Sequence, residues 1–281
     1  MALDFAVKHE RNTLSEKIAF GIRETILGLF SANLATLAVL VTRGPRTAAQ
    51  LASHNYKLYS GFGLHERSIR NAPWRTNCTL PSVPPGEIFE GIDFSHGPEL
   101  LFPAWSDLGI TTFELSILCK LVQGTKPSRV IEFGTAHGRT AANLAAYLPP
   151  SGELITVDLP CGERFLYIGQ PGSERIKQIE CDLTKFDWSP YKDSAQIVFC
   201  DACDMPEPFA KETELAFDLV TNDGIILWHD YGFNRYRTWA LNRLGEQLPL
   251  RNIEGTNFAC LRTTPQAKIA AKKFYAVVQA S

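Results

Sequence analysis

In the second half of the chain, acidic residues recur behind short apolar runs. Glu132 follows Arg129-Val130-Ile131, Asp158 closes the run from Glu153, and Asp182 follows Ile176–Cys181. Asp201 follows Ala195–Cys200, and the pair His229-Asp230 follows the run from Gly224. Apolar runs of this length, separated by helical stretches, read as buried strands of a parallel sheet. In such a sheet the C-terminal strand ends share one edge, and that edge is where ligands bind. A row of carboxylates there can accept hydrogen bonds from sugar hydroxyls, pair with an ammonium group, ligate a hard cation or take a proton. A single acid at a strand end often does no more than cap a turn. A row of them along one edge argues for a site.

The first run leads into a glycine turn. Residues 130–138 read Val-Ile-Glu-Phe-Gly-Thr-Ala-His-Gly and open a helical stretch, Arg139–Tyr147. Gly134 permits a tight turn, Gly138 lets a ligand approach the backbone, and the helix start offers free N–H groups to an anion. Thr135 and Thr140 add hydroxyls beside it. The spacing is Glu-x-Gly-x-x-x-Gly, not the Gly-x-Gly-x-x-Gly that seats a pyrophosphate. The acid at the strand end suits a ligand that carries cationic groups.

Strands are expected at Arg129–Phe133, Glu153–Asp158, Ile176–Cys181, Ala195–Asp201 and Gly224–His229, with a closing hairpin of Leu250–Ile253 and Phe258–Arg262 around Gly255. Helices are expected from Thr111 to Gly124, then at Arg139–Tyr147, Pro208–Leu219, Arg235–Glu246 and Lys268–Gln279. Thr111 and Glu114 have the spacing of a capping box. The alternation predicts an α/β fold, a doubly wound, mostly parallel seven-stranded sheet over residues 109–281. Residues 1–108 read as a separate N-terminal helical and lid region. Residues 10–42 look helical and apolar on several faces, a pattern that predicts a homodimer contact. Thr47–Ser53 reads as a short second helix. Residues 54–108 interleave six prolines with Trp74, Phe89, Phe94, Phe102 and Trp105. A long irregular stretch with aromatic anchors suits a cover over a substrate.

With 281 residues, 45% of them hydrophobic, the chain can bury a full core. Its net charge of −2 leaves no basic excess for nucleic acid. Seven scattered cysteines fit a reducing cytoplasm better than a disulfide framework. Cys200-x-x-Cys203 has no second pair to complete a zinc site. No signal-peptide pattern is evident at residues 1–11. Thr25–Val41 is uncharged but carries Ser31, Asn33 and Thr36, so a buried or subunit-contact helix is expected there rather than a membrane span.

Four segments carry a family resemblance: Val130–Thr140 (VIEFGTAHGRT), Leu154–Pro160 (LITVDLP), Ile197–Asp204 (IVFCDACD) and Ile225–Tyr231 (IILWHDY). Together they resemble the class I S-adenosylmethionine-dependent methyltransferases. Within these they are most similar to small-molecule O-methyltransferases of the metal-dependent catechol type and the macrolide-sugar type, over roughly residues 109–263. The resemblance implies a Rossmann-like fold with S-adenosylmethionine as methyl donor. It places the ribose on Asp158, the adenine amino edge near Asp182 and the methionine ammonium at Glu132. The methionine carboxylate falls to the turn of Gly134, Thr135, Gly138 and Thr140, with Asp201 bordering the donor. It further implies a magnesium-type divalent ion on Asp201, His229 and Asp230, where His229 replaces an expected carboxylate. The relatives' general base, three residues after the strand-end acid, corresponds to Asp204, so the base lies between Asp204 and His229. The expected activity is methyl transfer to a hydroxyl of a small, secondary-metabolite acceptor. The alternatives are metal-free transfer to nitrogen or carbon, and a non-methylating reaction on the same fold.

Overall fold

The computed structural model describes residues 78–102, 109–160, 165–203 and 206–279. The expectations for residues 10–42, Thr25–Val41, Thr47–Ser53, Trp74 and Trp105 lie outside the described residues. The described residues belong to one compact unit, Thr76–Ala104 with Gly109–Ala280. Among them, no helix is long and apolar enough to cross a membrane.

The strands are β1 (Ser82–Val83), β2 (Arg129–Phe133), β3 (Glu153–Asp158), β4 (Ile176–Glu180), β5 (Ala195–Cys200), β6 (Val220–Trp228), β7 (Arg251–Ile253) and β8 (Ala259–Arg262). The helices are α1 (Pro85–Ile88), α2 (Thr112–Thr125), α3 (Arg139–Tyr147), α4 (Pro206–Leu219), α5 (Arg235–Gly245) and α6 (Pro265–Gln279). One sheet runs β1-β7-β8-β6-β5-β2-β3-β4. The five strands from β6 to β4 are mutually parallel, and β8 is antiparallel to both β6 and β7. The order reverses between β2 and β5, which makes that junction the topological switch point.

Alternate strand residues feed two separate cores, as a sheet covered on both faces requires. Ile131, Phe133, Ile155, Val157, Val198, Cys200, Ile226 and Trp228 join Phe209, Phe217 and Leu241 of α4 and α5. On the other face, Val130, Leu154, Ile197, Phe199, Ile225 and Leu227 join Leu115, Leu118, Ala142 and Leu144 of α2 and α3.

The sheet has one strand more than the seven expected. Ser82 and Val83 pair in parallel with Asn252 and Ile253. Pro81, Pro84 and Pro85 disguise this strand in the sequence, yet an edge position tolerates residues that cannot donate. It also shows that part of the proline-rich stretch is built into the sheet. The same stretch docks further on. Phe89 is fully buried against the α2 side with Phe94 beside it. The Asn143 side chain accepts from Leu101 N at 2.8 Å and donates to Leu101 O at 3.0 Å, and Tyr147 donates to Glu99 O at 2.6 Å. The second departure is β6, which begins at Val220 rather than Gly224. Polar Thr221-Asn222-Asp223 resemble a turn, but the pairing with β5 continues through an irregularity between Ala195 and Ile197.

The start of α2 bears on the site. Thr111 accepts from Glu114 N at 3.2 Å, and the Glu114 carboxylate accepts from Thr111 N at 2.8 Å, a complete capping box. At the other end Lys126 adopts a left-handed conformation and Pro127 follows, so the helix cannot continue. Thr111→Ala removes one half of the box. It should lower unfolding free energy by about 1 kcal/mol in a denaturant titration. No loss would mean that Glu114 alone holds the cap.

Candidate active site

Sheet register explains why the acidic residues meet. Phe133 pairs with Val157 on one side and Cys200 on the other, and Cys200 pairs with Trp228. The next residues of these four strands, Gly134, Asp158, Asp201 and His229, therefore stand at one level. Backbone hydrogen bonds hold them there: Gly134 N to Val157 O at 2.8 Å, Asp201 N to Phe133 O at 2.9 Å and His229 N to Cys200 O at 3.0 Å. Gly134 sits at the switch point with φ of +94°, and a Cβ there would lie 2.6 Å from the Asp201 carbonyl oxygen. Only glycine lets the two chains pass this closely. Gly138 has a different reason from the one its spacing suggests. A Cβ on it would lie 2.7 Å from the Tyr167 ring, so it makes room for a protein side chain.

On the β2–β3 side the carboxylates are locked in place. Asp158 accepts from Ala136 N through Oδ2 and from Leu159 N through Oδ1, both at 2.7 Å. Two lone pairs remain on a carboxylate so held. Glu132 is not beyond its strand but inside β2 and wholly buried. Thr156 donates to its Oε2 at 2.5 Å, while Oε1 has no partner. Burial pushes the Glu132 carboxyl up to about 8, against the Thr156 hydrogen bond. The Thr156 hydroxyl is itself 2.6 Å from that of Thr135, which accepts from Gln178 Nε2 at 3.2 Å. Tyr167 donates to Gln178 Oε1 at 3.3 Å. The chain of donors can run from Tyr167 through Gln178, Thr135 and Thr156, all toward Glu132, so each bond polarises the next. The Thr135 hydroxyl is thus turned inward to the protein. Thr140 lies half-buried on the first turn of α3. Asp182 spends its oxygens locally, accepting from Thr184 N and Oγ1 at 3.0 and 2.7 Å and pairing with Lys185 at 3.1 Å.

At the β5–β6 end Asp201, His229 and Asp230 bring ligand atoms within 4.8 Å of one another. His229 Nδ1 is 3.0 Å from Asp201 Oδ1 and 3.4 Å from Asp230 Oδ1. Asp230 adopts φ of +62°, an uncommon conformation for a residue with a side chain, tolerated by aspartate. Burial alone would lower the His229 pKa, but Asp201, Asp230 and Glu114 around it hold it well above the usual range. As an imidazolium it has no lone pair with which to take a proton. Asp204 lies outside the described residues.

Three participants escape the sequence pattern. Glu114, read there only as a helix cap, places Oε2 3.4 Å from His229 Nε2. Arg237 of α5 is fully buried. It donates to Cys203 O at 2.8 Å and His229 O at 3.2 Å, and its Nη1 lies 3.6 Å from Asp201 and 3.9 Å from Asp230. Glu212 of α4 accepts from Ala202 N at 3.0 Å. Arg237 and Glu212 thus hold the 201–203 loop from behind. Spacing carries no sign of either, because none of these partners lies on the same helix as the residue that holds it.

A carboxylate row on both sides of the switch point of a doubly wound sheet stands where α/β proteins bind their ligands, at the C-terminal strand ends. Residues 131–231, which span this row from β2 to the turn after β6, match a family model described as a methyltransferase domain. The chain carries a methyltransferase domain over these residues. Among solved structures, an O-methyltransferase from Klebsiella pneumoniae is similar at 15% identity, covering 54% of this chain and 80% of that one, with a TM-score of 0.45. The O-methyltransferase TomG of Streptomyces achromogenes, involved in tomaymycin synthesis and solved with S-adenosylmethionine, is similar at 18% identity over 56% and 82%, TM-score 0.42. An O-methyltransferase from Bacillus cereus in complex with S-adenosylhomocysteine is similar at 18% over 62% and 71%, TM-score 0.39. No curated protein matches the sequence.

Proposed function

We propose that the enzyme transfers the methyl group of S-adenosylmethionine to a hydroxyl of a small organic acceptor. The observation that carries this reading is the Asp201–His229–Asp230 cluster, one strand away from the Gly134 turn. The donor lies over β2 and β3. Asp158 takes the ribose hydroxyls, Glu132 Oε1 takes the methionine ammonium, and the N-terminus of α3 with Thr140 faces the methionine carboxylate. The donor is a sulfonium and already activated, so the protein's main work is in-line positioning. Positioning is worth about 7–11 kcal/mol in well-oriented reactions.

The cluster residues fit a divalent cation. Asp201 and Asp230 approach Arg237 and Glu114 approaches His229, so with His229 deprotonated three carboxylates stand against one guanidinium, two negative charges in excess. Asp201 and Asp230 offer carboxylate oxygens and His229 offers Nδ1, a mixed set that suits metals accepting imidazole. When bound, the ion would lower the pKa of the acceptor hydroxyl and fix its orientation. The chain supplies the rest. Arg237 keeps the two strand-end loops at fixed separation, and Asp230, turned back by its positive φ, joins Asp201 at the same ring nitrogen, Nδ1 of His229.

A metal-free reaction is the second reading, favoured by the charges of His229 and Arg237, which already offset much of the acid pair. Labelled donor with a panel of hydroxyl acceptors, run with and without EDTA, tests both. Turnover is expected to fall at least about tenfold in EDTA and to return with excess magnesium or manganese. Undiminished turnover in EDTA removes the metal, and methylation at nitrogen or carbon alone removes the hydroxyl reading.

A further inference from the structure

Glu212 occupies a core position of α4. Phe209, Ala216 and Leu219 of that helix join the apolar core, and Glu212 falls at the spacing of their stripe. Its side chain is fully buried. Oε1 accepts from Ala202 N at 3.0 Å, and Oε2 has no hydrogen-bond partner. A buried carboxylate with an unpaired oxygen costs stability, and an apolar residue would serve the packing of α4 better. What the carboxylate holds explains its place. β5 ends at Cys200, and Asp201 N makes the next backbone bond, to Phe133 O at 2.9 Å. The peptide that follows is packed against Gly134: a Cβ on Gly134 would lie 2.6 Å from Asp201 O and 3.1 Å from Ala202 N. Glu212 takes the N–H of that same peptide.

We propose that Glu212 is the positioning residue of Asp201: by accepting from Ala202 N it holds the Asp201–Ala202 peptide against the Gly134 turn, and so fixes the Asp201 carboxylate relative to the donor. Transfer between two bound reactants depends on their geometry, and a misplacement of about 1 Å can cost about 10²-fold in rate. The sheet places Asp201 only as far as its own N–H. Beyond it the chain leaves β5, and its direction needs a fixed acceptor from outside the sheet. Glu212 supplies one, because a side chain buried in a close-packed core has no room to swing. The inference rests on the reading that puts the donor at the Gly134 turn and Asp201 in the reactive cluster. It gives a task to an acid that no strand-end pattern discloses.

The test compares Glu212→Met, Glu212→Gln and Thr213→Ala in the full chain. Methionine keeps the length of the side chain but offers Ala202 N no oxygen. Glutamine restores an acceptor oxygen without the charge. Thr213→Ala removes a buried hydrogen bond within α4, from Thr213 Oγ1 to Phe209 O at 2.9 Å, and loosens the same helix without touching the loop. Glu212→Met is expected to lower turnover about 10–100-fold, the usual cost of losing such a support, with S-adenosylhomocysteine affinity by calorimetry unchanged. Glu212→Gln is expected to restore most of that turnover, and Thr213→Ala to keep it. Amide hydrogen exchange gives a readout independent of activity: the Ala202 N–H exchanges slowly in the wild type and in Glu212→Gln, and at least about tenfold faster in Glu212→Met. An unprotected Ala202 N–H in the wild type overturns the proposal, and so does a turnover loss equal in Glu212→Met and Thr213→Ala. Should Glu212→Met not fold, Glu212→Gln decides: turnover lost there while the Ala202 N–H stays protected assigns the effect to charge and overturns the proposal, and turnover kept with the N–H protected upholds it. If the methyl-transfer reading is what fails, no hydroxyl acceptor turns over in the wild type, while Ala202 protection still depends on Glu212.

Discussion

Asp201→Asn lowers turnover by about 10²–10⁴-fold and leaves donor affinity close to that of the wild type; this is the first large effect expected. Asparagine keeps the shape and one acceptor oxygen, so the hydrogen bond from Asp201 N to Phe133 and the close pass of Gly134 survive. What goes is the charge 3.0 Å from His229 Nδ1 and 3.6 Å from Arg237 Nη1. Those two buried cations then share Asp230 as their only remaining partner in the strand-end pair. A site that must bind and deprotonate a hydroxyl loses half of its anionic wall, whether a divalent ion or a protonated His229 balances it. Steady-state kinetics with calorimetry of S-adenosylhomocysteine separates the two effects. Should donor affinity fall as far as turnover does, Asp201 belongs to the donor pocket and the reactive cluster shrinks to His229 and Asp230.

How far the sequence discloses this site depends on the range of the interaction that makes each part. Asp158, Asp201 and Asp230 are legible because parallel strands with matched register convert a one-dimensional rhythm into a row. Each acid needs only its own strand to be placed. The β7–β8 hairpin around Gly255 is legible for the same reason. By contrast, β1 is hidden by Pro81 and Pro84, and nothing local says that an edge partner, Asn252, awaits it. Glu114 is legible as a cap, since Thr111 lies three residues away, but illegible as a neighbour of His229, 115 positions further on. Arg237 stands in the polar run Arg235-Tyr236-Arg237 and looks like a surface residue. Only the tertiary structure shows that it lies over the Phe209 ring at 5.4 Å and reaches two strand-end carbonyls. Gly138 reads in the sequence as a place where a ligand approaches the backbone, whereas the group packed against it is the Tyr167 ring.

The second large effect concerns Glu132, where stability and binding pull in opposite directions. Burial raises its carboxyl from 4.5 to about 8, so at neutral pH the free enzyme carries it mostly protonated. The unfolded chain releases that proton near pH 4.5, the folded chain near 8. Over that window the folded state holds more protons, and its stability declines as pH rises. A donor ammonium at the orphaned Oε1 reverses the preference, because a buried carboxylate next to a cation stays ionised. Donor binding must then expel the proton below about pH 8, so affinity should increase with pH by up to about tenfold per unit and level off above 8. Glu132→Gln keeps the Thr156 hydrogen bond and the shape but has no proton to release. It should bind S-adenosylmethionine more weakly by about 2–5 kcal/mol at pH 8, show a much flatter affinity profile between pH 6 and 8, and melt at a higher temperature than the wild type at pH 8–9. Calorimetry across that range and thermal melts at both ends check all three. An affinity profile as steep in Glu132→Gln as in the wild type would assign the proton to another group and leave Glu132 a buried structural acid. A variant that both binds and melts like the wild type would show that no cation ever reaches it. The combined outcome expected here, a more stable protein that cannot hold its donor, is what a carboxylate buried for function rather than for folding should give.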